Sequence, residues 1–126
     1  MTVAEVRHAV EEVILDLLGT YSNGDPAIST GEPRSSLVAG GLECIIDLMP
    51  QMLNRRTADS AHIEKQWTVR LIDHAGGKDL TEAVETLLAR WPWAQVDPLL
   101  SSPEVGISPQ ISIRIPDRTR VGYPRR

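Results

Sequence analysis

The sequence predicts an α+β domain with an N-terminal helix, a long β-hairpin, a second helix and a C-terminal strand. The sheet is expected to be mostly antiparallel, with the helices packed on one face. Apolar residues recur every three or four positions in residues 3–18 and 80–91, the period of an amphipathic helix. Apolar and polar residues alternate in residues 42–49, 67–71 and 110–116, the period of a strand. Neither kind of element buries its apolar side alone, so the helices must pack on the sheet.

The length and composition indicate one folded domain. The chain has 126 residues, of which 41% are hydrophobic and 24% charged, enough for a modest core. We assign residues 1–116 to this domain and residues 117–126 to a basic C-terminal tail. Cys44 is the single cysteine, which excludes an intramolecular disulfide. We expect no secretion signal, no membrane span and no association with a membrane, because no apolar run approaches roughly 20 residues.

Charge is distributed unevenly along the chain. The net charge is −4, but residues 1–113 hold eight Lys/Arg against sixteen Asp/Glu, while residues 114–126 hold five Arg and one Asp. The tail is therefore either a solvated extension or an arm that docks on an acidic surface of a neighbouring subunit. Its candidate contact residues are Arg118, Arg120, Arg125 and Arg126.

The first predicted helix begins and ends with clear signals. Thr2 and Glu5 have the spacing of a capping box, and Gly19 supplies a stop. Residues 21–41 are then rich in Gly, Ser, Pro, Asn and Asp, which predicts a long connection with a short extended piece near residues 27–29. Connections of this length are usually functional or ordered by a partner.

A β-hairpin follows the long connection. Residues 42–49 form the clear part of its first strand, which could continue to residue 53. The second face of this strand mixes polar and apolar residues and could be partly buried against another subunit. Residues 54–59 form a polar tip, and residues 61–73 return as the second strand. Arg55 and Arg56 at the tip are either solubilising charges or a contact point that reaches beyond the domain.

The second helix follows a tight turn at Gly76 and Gly77. Asp79 is the predicted N-cap, and Pro92 ends the helix because the residue before a proline leaves the α region. Its apolar stripe consists of Leu80, Val84, Leu87, Leu88 and Trp91. We interpret Trp91 and Trp93 as residues that close the core. Residues 93–109 are expected to be irregular, and the tail that follows the last strand is expected to be mobile.

Catalytic chemistry is not indicated by the sequence. Asp73 and His74 are adjacent in a strand, so their side chains point to opposite faces and cannot orient one another as in a triad. Three separated histidines and Cys44 have no metal-ligand spacing. The glycine pairs lack the spacing of phosphate-binding loops. We therefore expect no enzymatic activity, no catalytic residues, no cofactor and no metal.

Nucleic-acid binding is also not favoured by the domain. Its body is acidic, no predicted helix has a basic stripe, and no predicted strand presents the aromatic platform of single-strand binders. Only the arginine tail could contact phosphate.

Three segments together resemble a known family. WTVRLIDHAGG at residues 67–77, DLTEAVETLLARW at residues 79–91 and ISIRIP at residues 111–116, in the predicted order of elements, resemble the tail terminator proteins of long-tailed bacteriophages, also called tail completion or minor tail proteins. The resemblance covers residues 3–116 and is one of architecture and sequence texture.

The resemblance implies a structural virion protein that is assembled in the cytoplasm of the host bacterium and located at the tail–neck junction. It implies a homo-hexameric ring that caps the head-proximal end of the tail tube and joins it to a neck or head-completion protein. DNA would be only passing cargo in the lumen. Subunit or tube contacts would then be made by the hairpin tip, the long connection and the tail, with the candidate arginines Arg55, Arg56, Arg118, Arg120, Arg125 and Arg126.

Other functions stay open at this point. Within the same machinery the chain could be another phage neck or connector adaptor. A different class is a small cytosolic dimeric α+β module whose sheet binds a ligand, and an enzyme is a third class.

Overall fold

The computed structural model describes residues 2–31, 41–56, 60–74, 78–97, 100–102 and 107–122. These residues form two α-helices and seven β-strands. The helices are α1 (Val3–Ile14) and α2 (Lys78–Arg90). The strands are β1 (Ile28–Thr30), β2 (Leu42–Ile46), β3 (Gln51–Arg56), β4 (Ser60–Asp73), β5 (Gln95–Val96), β6 (Leu100–Ser102) and β7 (Ile107–Gly122).

The described strands belong to one mixed sheet in the order β1-β2-β4-β7-β5. β3 pairs with β4, and β6 pairs with β7. β1 runs parallel to β2, and the other pairs are antiparallel. Both helices contribute to one core on one side of the sheet. The predicted α+β class, with a mostly antiparallel sheet and helices on one face, is confirmed.

The core lies between the two helices and one end of the sheet. Its helical members come from one stripe of each helix, as the sequence period predicts. They are Val6, Val10 and Ile14 of α1 and Leu80, Ala83, Leu87 and Trp91 adjoining or within α2. The sheet contributes alternate residues: Leu42, Cys44, Ile46, Trp67, Val69, Leu71, Ile113 and Ile115, with Ile28 beside them.

Helix α1 begins with the predicted capping box. Glu5 N–H donates to Thr2 Oγ1, and Thr2 N–H donates to Glu5 Oε1, both at 3.2 Å. The α-helix ends at Ile14, and a 3-10 turn covers residues 15–17. Gly19 then joins the chain to the sheet, because its amide donates to the carbonyl of Leu42 at 2.9 Å.

The predicted hairpin is interrupted on its first strand. β2 ends at Ile46, opposite Val69, whereas β3 begins at Gln51, opposite Gln66. Ile46 and Gln51 are five residues apart, whereas their partners on β4, Val69 and Gln66, are three residues apart. The segment 47–50 therefore contains two more residues than the facing part of β4. Pro50 lies in this segment and has no amide to donate to β4. The single strand predicted over 42–49 is therefore wrong beyond residue 46.

The last strand is longer than the predicted 110–116. β7 runs from Ile107 to Gly122 and pairs with β4 from Ile72 to Ser60. Residues 117–122, which we expected to be a mobile tail, are therefore strand, because β4 is long enough to supply their hydrogen-bonding partners. Residues 123–126 lie outside the described residues. The segment 93–109 was expected to be irregular, but it contains the short strands β5 and β6.

Candidate functional site

The candidate arginines lie on a part of the sheet that extends beyond the core. The core residues of β4 begin at Trp67, and those of β7 end at Ile115. Beyond them β3, β4 and β7 continue as a three-stranded ribbon of residues 51–56, 60–66 and 116–122. We call this part the distal ribbon. None of the described residues of the distal ribbon belongs to the core that the two helices share with the sheet.

Strand register brings the predicted tip and the predicted tail together. Arg55 pairs with His62, and His62 pairs with Arg120 on its other side. Arg118 lies two residues before Arg120, on the same face of β7, and pairs with Glu64. Arg56 pairs with Ala61 and belongs to the opposite face. Four of the six candidate arginines therefore share one end of the sheet, a proximity that the sequence analysis did not predict.

Arg55, His62 and Arg120 occupy one register row across β3, β4 and β7. Arg55 and Arg120 lie on the two strands next to β4, so their Cα atoms are about 9–10 Å apart, twice the spacing between neighbouring strands. Such a row is suited to an acidic partner surface, which would neutralise it. Arg125 and Arg126 lie outside the described residues.

A buried polar cluster lies on the face of β2 that points away from the core. Glu43 is 5% exposed and alternates with the core residues Leu42 and Cys44. The Tyr21 hydroxyl donates to Glu43 Oε2 at 2.9 Å and lies 3.2 Å from Ser29 Oγ. His74 Nε2 lies 3.1 Å from Glu43 Oε1. Both carboxylate oxygens of Glu43 therefore have a partner.

This cluster organises the start of the connection between α1 and β2. Tyr21 is buried, and burial raises the pKa of its phenol above the ordinary value, with the nearby Glu43 carboxylate acting in the same direction. The cluster joins the segment after α1 to β1 and β2. The His74 ring contacts Glu43, which lies on the neighbouring strand β2. The sequence offered one signal for this cluster, an acidic residue between two strongly apolar strand residues.

Apart from Leu15, the exposed large apolar residues of the described segments form two groups on opposite sides of the β4–β7 pair. Leu48 and Met49 lie in the interrupted segment before β3, and Met52 lies in β3. Trp93 lies just before the edge strand β5 and Val96 lies within it. Trp91 is buried in the core as predicted, but Trp93 is 83% exposed. The prediction that Trp93 closes the core is wrong. Trp93 lies in the turn after α2, beyond the apolar stripe that packs this helix on the core.

Two ion pairs lie close to these groups. Arg70 Nη2 is 3.8 Å from Asp47 Oδ1, beside the interrupted segment. Arg114 Nη2 is 3.3 Å from Asp97 Oδ1, beside β5. All four side chains are partly exposed, so each pair contributes at most about 1 kcal/mol to folding.

No protein-family model and no curated protein matches this chain. Within the described ranges, no group of three or more His, Cys, Asp and Glu residues is arranged to hold a metal ion. None of the helices in the described part of the chain is long and apolar enough to cross a membrane.

Proposed function

We propose that this chain is a structural virion protein of a long-tailed bacteriophage, which forms a ring on the head-proximal end of the tail tube. The observation that carries the proposal is the extension of β4 and β7 as a paired ribbon beyond the core, which brings Arg55, His62 and Arg120 into one register row. A basic end on an otherwise acidic chain is suited to bind an acidic surface of a tube or neighbouring subunit.

A closed ring requires two different surfaces on each subunit. In a ring, contacts repeat head to tail, so one patch of each copy meets another patch of the next. The exposed apolar groups around Met49 and Trp93 lie on opposite sides of the β4–β7 pair and provide two such patches. The proposed ring has six copies, as the resemblance to tail terminators implies.

The proposal includes partners and a location. The tail tube protein would contact one side of the ring, and a neck or head-completion protein would contact the other. DNA would pass through the lumen, where an acidic lining would limit its adhesion. The chain would be assembled in the bacterial cytoplasm and retained at the tail–neck junction of the virion.

The test is to combine the purified protein with polymerised tail tubes and examine the tube ends by negative-stain electron microscopy. We expect a ring on one end of each tube and an arrest of further tube growth. A protein that leaves tube length and tube ends unchanged would refute the tube-capping function. A ring that binds isolated portal complexes but not tubes would assign the chain to a neck or connector adaptor instead.

A further inference from the structure

The outer edge of β3 is a candidate binding site for an extended segment. β3 consists of six residues and pairs with β4 on one side. On its other side, no strand of the described part of the chain pairs with it. An unpaired edge presents a row of backbone amides and carbonyls, which can act as a template for the addition of another strand.

The hydrogen-bonding pattern of β4 identifies the backbone groups of β3 that face outward. The Asp47 amide donates to the Thr68 carbonyl at 3.0 Å, so the backbone groups of Thr68 face the side of β4 on which β2 and β3 lie. These groups alternate between the two sides of a strand, so even-numbered residues of β4 face β3 and bond its odd-numbered residues. The outward amides and carbonyls of β3 therefore belong to Met52, Asn54 and Arg56.

The opposite edge of the distal ribbon is less suited to strand addition. The Asp97 amide donates to the Ser112 carbonyl at 2.8 Å, so even-numbered residues of β7 face away from β4. One of them is Pro116, which has no amide to donate. β3 contains no proline and pairs with β4 in unbroken register. Proline and bulges are devices that block an edge, so β3 is the more open of these two edges.

We propose that the edge of β3 binds an extended acidic segment of a different protein as an additional strand. Residues 51–56 include Arg55 and Arg56 and no acidic residue. An acidic strand would put unlike charges at the register positions across from these arginines, and such cross-strand pairs are favourable. The edges of a second copy supply few such charges, because residues 51–56 and 116–122 together hold four arginines and one acidic residue, Asp117. Backbone hydrogen bonds supply the affinity in this mode, and the charges select the partner.

The inference deepens the proposed function and rests on it for the identity of the partner, which would be the tail tube protein or a neck protein. The binding mode itself is a property of the isolated chain. It can therefore be tested with a synthetic peptide, and failure of strand addition is distinguishable from failure of tube capping.

The first test removes one outward amide from the protein. Asn54→Pro deletes an amide that does not bond β4, and natural edge strands accept proline at such positions. Asn54→Ala is the matched control, because it loses the same side chain and keeps the amide. The probe is a dye-labelled peptide of about eight residues, with two adjacent glutamates in a run of valine and threonine.

Peptide binding is measured by fluorescence anisotropy. We expect Asn54→Pro to bind the peptide about 2- to 13-fold more weakly than the wild type, the effect of one lost hydrogen bond. Asn54→Ala should differ from the wild type by less than about twofold. Circular dichroism establishes whether each variant is folded.

The second test changes the peptide and keeps the wild-type protein. Two forms of the peptide are N-methylated on alternate amides, one at odd-numbered and the other at even-numbered peptide residues. Only one of these sets faces β3 in an added strand, so one form should lose binding and the other should bind like the unmodified peptide. Equal effects of the two methylations would overturn strand addition, whether or not Asn54→Pro folds.

Other results would also contradict strand addition. These are a folded Asn54→Pro protein that binds the peptide as well as Asn54→Ala does, and a wild type that does not bind it at about 1 mM. A DNA oligonucleotide that displaces the peptide equally from both variants would indicate a phosphate-binding surface instead. Self-association of the wild type that Asn54→Pro abolishes would assign the edge to a second copy. Undiminished tube capping by folded Asn54→Pro would reject strand addition and retain the proposed function.

Discussion

Arg55 and Arg120 lie in one register row of the sheet, on either side of His62. The two arginines are 65 positions apart in the sequence, and pairing of β3 and β7 with the same long strand brings them together. Because the row combines two arginines and a histidine, an acidic surface is a suitable partner for it. This arrangement makes the distal ribbon the first place to test for partner binding.

Reversing the charge of this row should weaken partner binding more than folding. We expect Arg55→Glu with Arg120→Glu to reduce tube capping about 2- to 30-fold, the effect of losing two ion pairs with the partner at about 0.2–1 kcal/mol each. The row contains no residue of the core, so the melting temperature should change little. Capping is measured by counting ringed tube ends at several salt concentrations. Gln51→Glu, in the same strand, is the control, and equal losses for both proteins would argue against a specific role of the row.

Removing the Tyr21 hydroxyl should destabilise the fold. Tyr21→Phe deprives the buried Glu43 carboxylate of a donor at 2.9 Å, which we expect to lower the free energy of unfolding by about 1–3 kcal/mol. The measurement is urea denaturation of Tyr21→Phe, Glu43→Gln and the double variant. A coupling energy below about 0.5 kcal/mol would show that the two side chains act independently.

Alkaline pH should destabilise the protein through two buried groups. Burial raises the pKa of the Cys44 thiol and of the Tyr21 phenol above their ordinary values of 9.0 and 10.0. The unfolded chain therefore releases these protons at a lower pH than the folded chain does. Their stabilising contribution is complete below about pH 9 and is lost as the pH rises above the ordinary values.

Cys44→Ala tests this pH dependence. The slope of unfolding free energy against pH should become shallower above pH 9, with up to about 1.4 kcal/mol per pH unit removed for one group. Denaturant titrations between pH 7 and pH 10.5 measure it. The wild type and the variant should have parallel profiles at neutral pH, and parallel profiles above pH 9 would contradict the contribution of the thiol.

Gly41 and Gly24 provide a matched pair for testing a close approach of two backbone segments. Both residues have positive φ, +91° and +92°. An added Cβ at Gly41 would lie 2.7 Å from the Cα and N atoms of Gly19, whereas nothing lies within 4 Å at Gly24. Gly24→Ala should therefore cost about 1–2 kcal/mol, the conformational penalty alone.

Gly41→Ala should cost more than Gly24→Ala, because the backbone around Gly19 and Leu42 must also move. Thermal and urea unfolding of the two variants give the difference directly. Equal losses of stability would show that the junction between α1 and β2 relaxes without cost.

Local sequence patterns were sufficient to predict the elements in which buried residues recur with the period of the helix or strand itself. The capping box of Thr2 and Glu5, the apolar stripe of α2 and the alternation of Trp67, Val69 and Leu71 each predict an element that the structure confirms. These signals depend on neighbours within a few residues, so no knowledge of the remaining chain is needed. The α+β class followed from them.

Pairing between distant segments was decided only by the tertiary structure. β7 continues to Gly122 because β4 is long enough to pair with it, although residues 117–122 have no apolar alternation of their own. The interruption after Ile46 likewise depends on the register of β2 and β3 on β4.

The sequence by itself therefore determined the helices, the principal strands and the acidic body with its basic end. Tertiary structure decided that Arg55 and Arg120 share a row, that Glu43 is enclosed by Tyr21 and His74, and that Trp93 is exposed. The physical reason is that helix and strand periods are set by local backbone geometry, whereas burial and proximity depend on which distant strands pair and in which register.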